Sequence, residues 1–178
     1  MRALVVYGTR WGGTVDIAEK IGRVLVEEGY AADVVNCKNK PKNLEKYDLF
    51  LIGSGISADK WTKEMMVFLQ KNAELLRAKK TALFVSCRMA DRESEREKAT
   101  GMYLEKIAEM YSLKPISLAL FGAYMNFDQS HGLLVDLLIK INRKSLRRDG
   151  LDTSKIYDTR DWAIIKKWAR EVSEIASK

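Results

Sequence analysis

Thr9-Arg10-Trp11-Gly12-Gly13-Thr14 follows an unbroken apolar run, Ala3-Leu4-Val5-Val6-Tyr7, and precedes apolar residues spaced by threes and fours: Ile17, Ala18, Ile21, Val24 and Leu25. The run predicts a buried strand and the spacing predicts a helix, so the stretch between them is a tight connecting loop. Adjacent glycines let the backbone turn sharply and come close to a ligand. Thr9 and Thr14 add hydroxyls. The first turn of the helix adds N–H groups without intrahelical partners, at the positive end of its dipole. The stretch reads as a cradle for an anion, above all a phosphate group. The plainer alternative is an ordinary strand-to-helix turn with threonine as N-cap.

No Gly-Lys-Ser/Thr ending follows, which argues against a nucleoside triphosphate loop, and the G-x-G-x-x-G spacing of a dinucleotide site is absent here. Gly53-Ser54-Gly55-Ile56-Ser57-Ala58 matches that spacing superficially. The next strand ends in Ser86-Cys87, with no acid to hold a ribose, so the match is treated as a decoy.

The chain has 178 residues, 47% of them apolar, with two prolines and no Gly/Ser linker. That suits one domain over 1–178 with an ample core. Cys37 and Cys87 lie far apart and His131 is the one histidine. This excludes ordinary zinc spacings and a Ser-His-Asp triad and fits reduced thiols in the cytoplasm. No signal peptide is expected, because residues 1–8 are the first strand, and no apolar run approaches the roughly 20 residues of a spanning helix. The formal net charge of +7 points to an acidic partner: anionic lipid, a carboxylate-bearing substrate or nucleic acid. A merely solvated basic surface is the alternative.

Strand and helix patterns alternate along the chain, which predicts βαβ units and a doubly wound parallel sheet. Strands are expected at Ala31–Val35, Tyr47–Ile52, Thr81–Val85 and Ile116–Phe121. Residues 38–46 read as loop, and Gly29 as the end of the first helix. A second helix starts at Thr62. Ser94 is expected to cap a third, whose apolar face includes Tyr103, Ile107, Ala108 and Tyr111. The last helix starts near Thr159 or Asp161 and shows Trp162, Ile165, Trp168, Ala169, Val172 and Ile175. Ligands bind such sheets at the carboxyl ends of the strands, beside the switch in strand order, where loops 9–14, 54–61 and 86–93 converge.

Val5-Val6-Tyr7-Gly8-Thr9-Arg10-Trp11-Gly12-Gly13-Thr14 resembles the phosphate loop of flavodoxins. The resemblance implies five strands in order 2-1-3-4-5 and FMN as cofactor. It implies phosphate contacts from Thr9, Arg10, Trp11, Gly12, Gly13 and Thr14. The ring would be flanked by Ser54, Gly55, Ile56 and Ser57 on one side and Ser86, Cys87, Arg88 and Met89 on the other. Trp61 and Tyr103 are candidates to stack on the ring and equally candidates for the core. Arg88 and Arg92 would favour two-electron reduction of the ring by their positive charge, with Asp91 and Glu93 opposing them.

Between the fifth strand and the last helix lie more than thirty residues, Gly122 to Ile156, where a few would suffice. Leu133, Leu134, Leu137, Leu138, Ile141 and Leu146 recur by threes and fours, and Lys140, Arg143, Lys144, Arg147 and Arg148 crowd the later half. This predicts a basic amphipathic helix over 131–148 within an insertion of about 123–156. Phe121-Gly122-Ala123-Tyr124, this insertion, and Tyr157-Asp158-Thr159-Arg160-Asp161-Trp162 extend the resemblance end to end. The whole chain resembles the flavodoxin-like, menaquinone-dependent protoporphyrinogen IX dehydrogenases of haem synthesis. It departs from them in Asp59-Lys60-Trp61 and in the charged run Asp91–Lys98, which leaves the substrate open.

The resemblance implies an FMN oxidoreductase acting on a porphyrinogen or another anionic small molecule, with a quinone as acceptor and no nucleic acid partner. The protein would be cytoplasmic, with the 131–148 helix either meeting the inner face of the membrane, walling a substrate pocket, or docking on its own domain. The net charge of +7 contrasts with the acidic character of carrier flavodoxins. A flavodoxin-type electron carrier and an FMN-dependent quinone reductase are the alternatives.

Overall fold

The computed structural model describes residues 1–127, 137, 147–148, 150 and 152–178. In chain order it shows β1 (Arg2–Gly8), α1 (Gly13–Glu27), β2 (Ala31–Asn36), β3 (Leu49–Gly55), α2 (Lys63–Arg77), β4 (Lys80–Ser86) and α3 (Glu93–Thr100). A π-helical segment (Gly101–Glu105), α4 (Lys106–Met110), β5 (Ser117–Phe121), β6 (Tyr124–Met125), β7 (Tyr157–Asp158) and α5 (Trp162–Ser177) follow. The first five strands form one parallel sheet in the expected order β2-β1-β3-β4-β5. β6 and β7 pair antiparallel as a separate ribbon. The predicted helix over 131–148 falls mostly outside the described residues. Leu137, Arg147 and Arg148, which are described, are helical and exposed.

The apolar runs are explained by burial on both faces of the sheet. Successive side chains of a strand point to opposite sides. Leu4 and Val6, Phe50 and Ile52, and Leu83 and Val85 therefore join one cluster, completed by Met65, Phe68 and Leu69 of α2 with Tyr103, Leu104 and Ile107. Ala3 and Val5, Leu49 and Leu51, and Ala82 and Phe84 join the other, completed by α1 and α5. Each large aliphatic side chain buried in this way contributes about 1.5–3 kcal/mol. On the α5 side Trp168 meets Phe84 and Phe121 edge-on at 5.8 and 5.5 Å, and its indole N–H donates to the Ser117 hydroxyl at 2.8 Å.

Several boundaries differ from the sequence pattern. The third strand starts at Leu49 and runs on to Gly55. Tyr47 instead closes a 3-10 turn over Leu44–Lys46 and donates its hydroxyl proton to Asp33 at 2.6 Å. Strand pairing with β4 carries β3 through Gly53-Ser54-Gly55. The glycines of the decoy motif thus lie in a strand, not in a loop opening a helix. A Cβ on Gly53 would lie 2.0 Å from the Phe84 ring, so that packing is possible only for glycine. Ser94 does not cap α3, because the helix begins one residue earlier and no side chain caps it. Asp161 does cap α5, accepting from the N–H groups of Ala163 and Ile164 at 2.8 and 3.1 Å. Ile175 is largely exposed, and Val172 and Ala176 hold the buried stripe of α5.

The periodic apolar face from Tyr103 to Tyr111 is interrupted by the π-helical segment. There the Tyr103 carbonyl accepts the Trp61 indole N–H at 2.7 Å, an outside donor of the kind that disturbs a helical ladder. Trp61 and Tyr103 are both almost fully buried in the α2 side of the core, which excludes the stacking role considered for them. Trp61→Phe keeps most of the apolar volume and orphans that carbonyl. The expected cost is about 1–3 kcal/mol, read as a lower urea midpoint at unchanged m-value. An unchanged midpoint would show the bond to be dispensable.

Candidate functional site

The carboxyl ends of β1, β3 and β4 open onto a cleft, the place where ligands bind open parallel sheets. Its lining brings together Thr9, Arg10, Trp11, Gly13 and Thr14 from the first loop, Gly55 and Ile56 from the second, and Ser86, Cys87 and Arg88 from the third. Ala123, Tyr124 and Met125 complete the wall. Gly12, Ser54, Ser57 and Met89 do not line it.

Gly12 is the N-cap of α1 at φ 85°, a left-handed conformation that favours glycine. The Thr9 hydroxyl accepts the Gly12 N–H at 3.0 Å, which ties the loop and leaves the hydroxyl proton to donate. No side chain caps α1, so its first N–H groups face the cleft end without a side-chain acceptor, as an anion site requires. Thr14 is 2% exposed. A Cβ on Gly55 would lie 2.9 Å from the Thr14 hydroxyl oxygen, so the second loop packs directly over the first. Such a cradle, with hydroxyls and helix N–H groups converging on a small space, fits a phosphate monoester.

The second loop closes on itself. Ser57 and Lys60 exchange backbone hydrogen bonds at 3.1 and 3.2 Å across Ala58 and Asp59, both at positive φ. The Ser54 hydroxyl accepts from the Thr62 N–H and donates to the Gly55 carbonyl, each at 3.0 Å. Asp59 accepts the Tyr103 hydroxyl at 2.7 Å, and that hydroxyl lies 3.3 Å from the Met89 sulfur. Ser54 and Met89 therefore support the loops from behind.

In the third loop the Ile56 N–H donates to Ser86 O and the Cys87 N–H to Phe121 O, both at 3.0 Å. Burial pushes the Cys87 thiol up to about 11, so it stays protonated and is no nucleophile at neutral pH. Arg92 pairs with Glu95 at 3.0 Å, and Asp91 accepts from Tyr157 at 2.5 Å and Thr159 at 2.7 Å. Of the two arginines expected near a ring, Arg88 alone lines the cleft. At the opposite rim Glu64 lies between Arg10 at 3.6 Å and Lys38 at 3.9 Å.

The third wall is the root of the long insertion. The β6–β7 ribbon pairs Tyr124 with Asp158 and Met125 with Tyr157. Behind it, Ala123 and Thr159 exchange bonds: the Thr159 N–H donates to Ala123 O and the Ala123 N–H to the Thr159 hydroxyl, each at 3.0 Å. Trp11 packs on Met125 and Phe127. The Arg160 guanidinium reaches Asp16 at 2.8 Å, Asp158 at 2.7 Å and the Gly13 carbonyl at 3.1 Å. These hydrogen bonds from Arg160 hold the Asp158 carboxyl below its ordinary value. The expected site omitted Ala123, Tyr124, Met125 and Arg160, although the stretches carrying them were singled out in the sequence. What was missing was the ribbon that folds one stretch against the other.

Among known proteins, the flavodoxin domain family matches residues 4–144. The chain is 24% identical over 182 aligned residues to the protoporphyrinogen IX dehydrogenase [quinone] of Escherichia coli K12, covering 100% of this chain and 98% of that one. A flavodoxin from the domain Archaea superposes over 100% of both chains with a TM-score of 0.58 and 16% identity. Rubredoxin oxygen:oxidoreductase from Desulfovibrio gigas superposes with a TM-score of 0.60 and 12% identity over 99% of this chain, which spans only 36% of that protein.

Proposed function

The chain belongs to the flavodoxin domain family, and from that membership we propose that it is an FMN-dependent oxidoreductase that dehydrogenates protoporphyrinogen IX and delivers the electrons to a quinone. The observation that carries the enzyme reading is the cleft's third wall: Ala123, Tyr124 and Met125, at the root of the insertion, stand beside the loops of the cofactor site. The end-to-end likeness to the E. coli dehydrogenase supports the choice of porphyrinogen and quinone.

In this reading Thr9, Thr14 and the first N–H groups of α1 hold the phosphate, with Arg10 and Trp11 at its edge. Gly55, Ile56, Ser86, Cys87 and Arg88 would border the ring, and Gly12, Ser54, Ser57 and Met89 would shape the loops that do so. Bound FMN supplies the acceptance of a hydride and its onward transfer as electrons; the protein supplies orientation, exclusion of water and local charge. Arg10 and Arg88 on the lining give that charge a positive sign, suited to a carboxylate-bearing substrate. None of the residues lining the cleft is assigned as a general base.

The test is turnover of protoporphyrinogen IX with a menaquinone analogue by the flavin-loaded protein, beside reduction of a cytochrome. Quinone-dependent porphyrin formation is expected. Cytochrome reduction alone would select the electron-carrier reading.

The peripheral membrane contact is part of the same proposal. Among the described residues no helix is long and apolar enough to cross a membrane. Arg147 donates to the Thr153 hydroxyl at 2.8 Å, so its guanidinium also serves the insertion's own structure and is left intact in the test. Changing Lys140, Arg143, Lys144 and Arg148 to Gln removes about 1 kcal/mol of attraction to anionic lipid per residue, on the order of a thousandfold in all. Binding to vesicles containing phosphatidylglycerol and quinone-coupled turnover should both fall, with FMN content unchanged. A variant that binds and turns over like its parent would show that the segment only packs on its own domain.

A further inference from the structure

We infer that Arg160, which does not line the cleft, is a positioning residue for the phosphate cradle and offsets the charge of a carboxylate that would otherwise oppose the phosphate more strongly. The inference rests on the FMN reading above. It starts from Asp16, in the first turn of α1 with a side chain 57% exposed. A carboxylate there is favoured by the helix dipole. It also repels any second anion brought to the same helix end.

Arg160 answers this from the far side of the insertion. Its side chain is 4% exposed and lies between two rings, with its guanidinium carbon 4.4 Å from the Tyr124 centroid and 4.7 Å from that of Trp162. Asp158 fixes it through Nε at 2.8 Å and the second terminal nitrogen at 2.7 Å. The remaining terminal nitrogen donates to Asp16 at 2.8 Å and to the Gly13 carbonyl at 3.1 Å. The first contact pairs Asp16 with a cation it shares with Asp158, which offsets part of its charge and turns its oxygen toward the guanidinium. The second polarises the peptide shared by Gly13 and Thr14, which makes the Thr14 N–H a stronger donor to an anion in the loop. The same side chain steadies Tyr124, whose Cβ occupies the space a Cβ on Gly13 would need. One guanidinium thus sets the charge, the donor strength and the wall of the cradle.

Because the effect runs through the phosphate, it is separable from folding. Protein stripped of flavin is titrated with FMN and with riboflavin, which lacks the phosphate, and Tm is measured beside each titration. For Arg160→Gln the FMN Kd should rise about tenfold, the value of one hydrogen bond to a charged group, while the riboflavin Kd stays within about twofold. Asp16→Asn should leave FMN binding equal or tighter, and Arg160→Gln combined with Asp16→Asn should recover part of the loss, the share carried by Asp16. An unchanged FMN Kd, equal weakening for both flavins, or no recovery in the double variant would each overturn the inference. If Arg160→Gln does not fold, Arg160→Met carries the same comparison, since it keeps an unbranched stem between the Tyr124 and Trp162 rings and removes the charge. Failure of the parent protein to bind either flavin would strike the cofactor reading instead, which keeps the two failures distinct.

Discussion

Thr14→Val is expected to weaken FMN binding about tenfold or more, because it deletes one hydrogen bond to a charged acceptor, worth about 1.5–3 kcal/mol. The hydroxyl is well placed for such a loss to be specific. Thr14 is almost fully buried in the first turn of α1, and its oxygen packs directly against Gly55. Among the described residues it has no hydrogen-bonding partner in the protein. Valine keeps the shape, so the stability of the flavin-free protein should hold. Fluorescence titration reads the affinity and thermal melting reads the fold. Unchanged affinity, or FAD as the extracted cofactor, would sink the assignment of this loop to the phosphate of FMN.

Gly122→Ala is expected to cost about 2–3 kcal/mol of stability, roughly 4–12 °C in Tm for a chain of this size. The new Cβ would lie 2.1 Å from Thr159 O and 2.5 Å from Thr159 C. These are backbone atoms and cannot swing aside. Relief requires the Ala123–Thr159 bonds to part, and with them the grip of Thr159 on Asp91. The root of the insertion would then move off both the first and third loops. Gly101→Ala is the contrasting control: its Cβ would meet nothing closer than Glu105 Oε2 at 3.6 Å. In a helix that exchange should stabilise by about 0.5–1 kcal/mol. Equal midpoints for the two variants would show that the β6–β7 root does not hold the cleft.

The readings of the first strand, its loop and its helix, which depended on a short window of sequence, hold up in the structure. The strand Arg2–Gly8, the loop after it and the helix Gly13–Glu27 follow from an apolar run, two glycines and a 3.6-residue period, because burial on both faces and helical amphipathicity each leave a local pattern. Asp161 as the cap of α5 is legible for the same reason: a cap acts within three residues. The strand order came from resemblance to a family, since spacing alone leaves several parallel orders open.

Tertiary structure decided the rest. Whether Trp61 and Tyr103 faced a ligand or the core depended on a bond between residues 42 positions apart, and both types of surface favour aromatics equally. Ser94 had the chemistry of a cap but not its place, because pairing of Arg92 with Glu95 and the turn before it start the helix earlier. The wall of the cleft required Tyr124 to meet Asp158, and Arg160 to reach Gly13 across 147 residues of chain. A buried arginine reads in sequence as one more surface charge, since what makes it structural is the company of two carboxylates, a carbonyl and two rings that only the folded chain assembles.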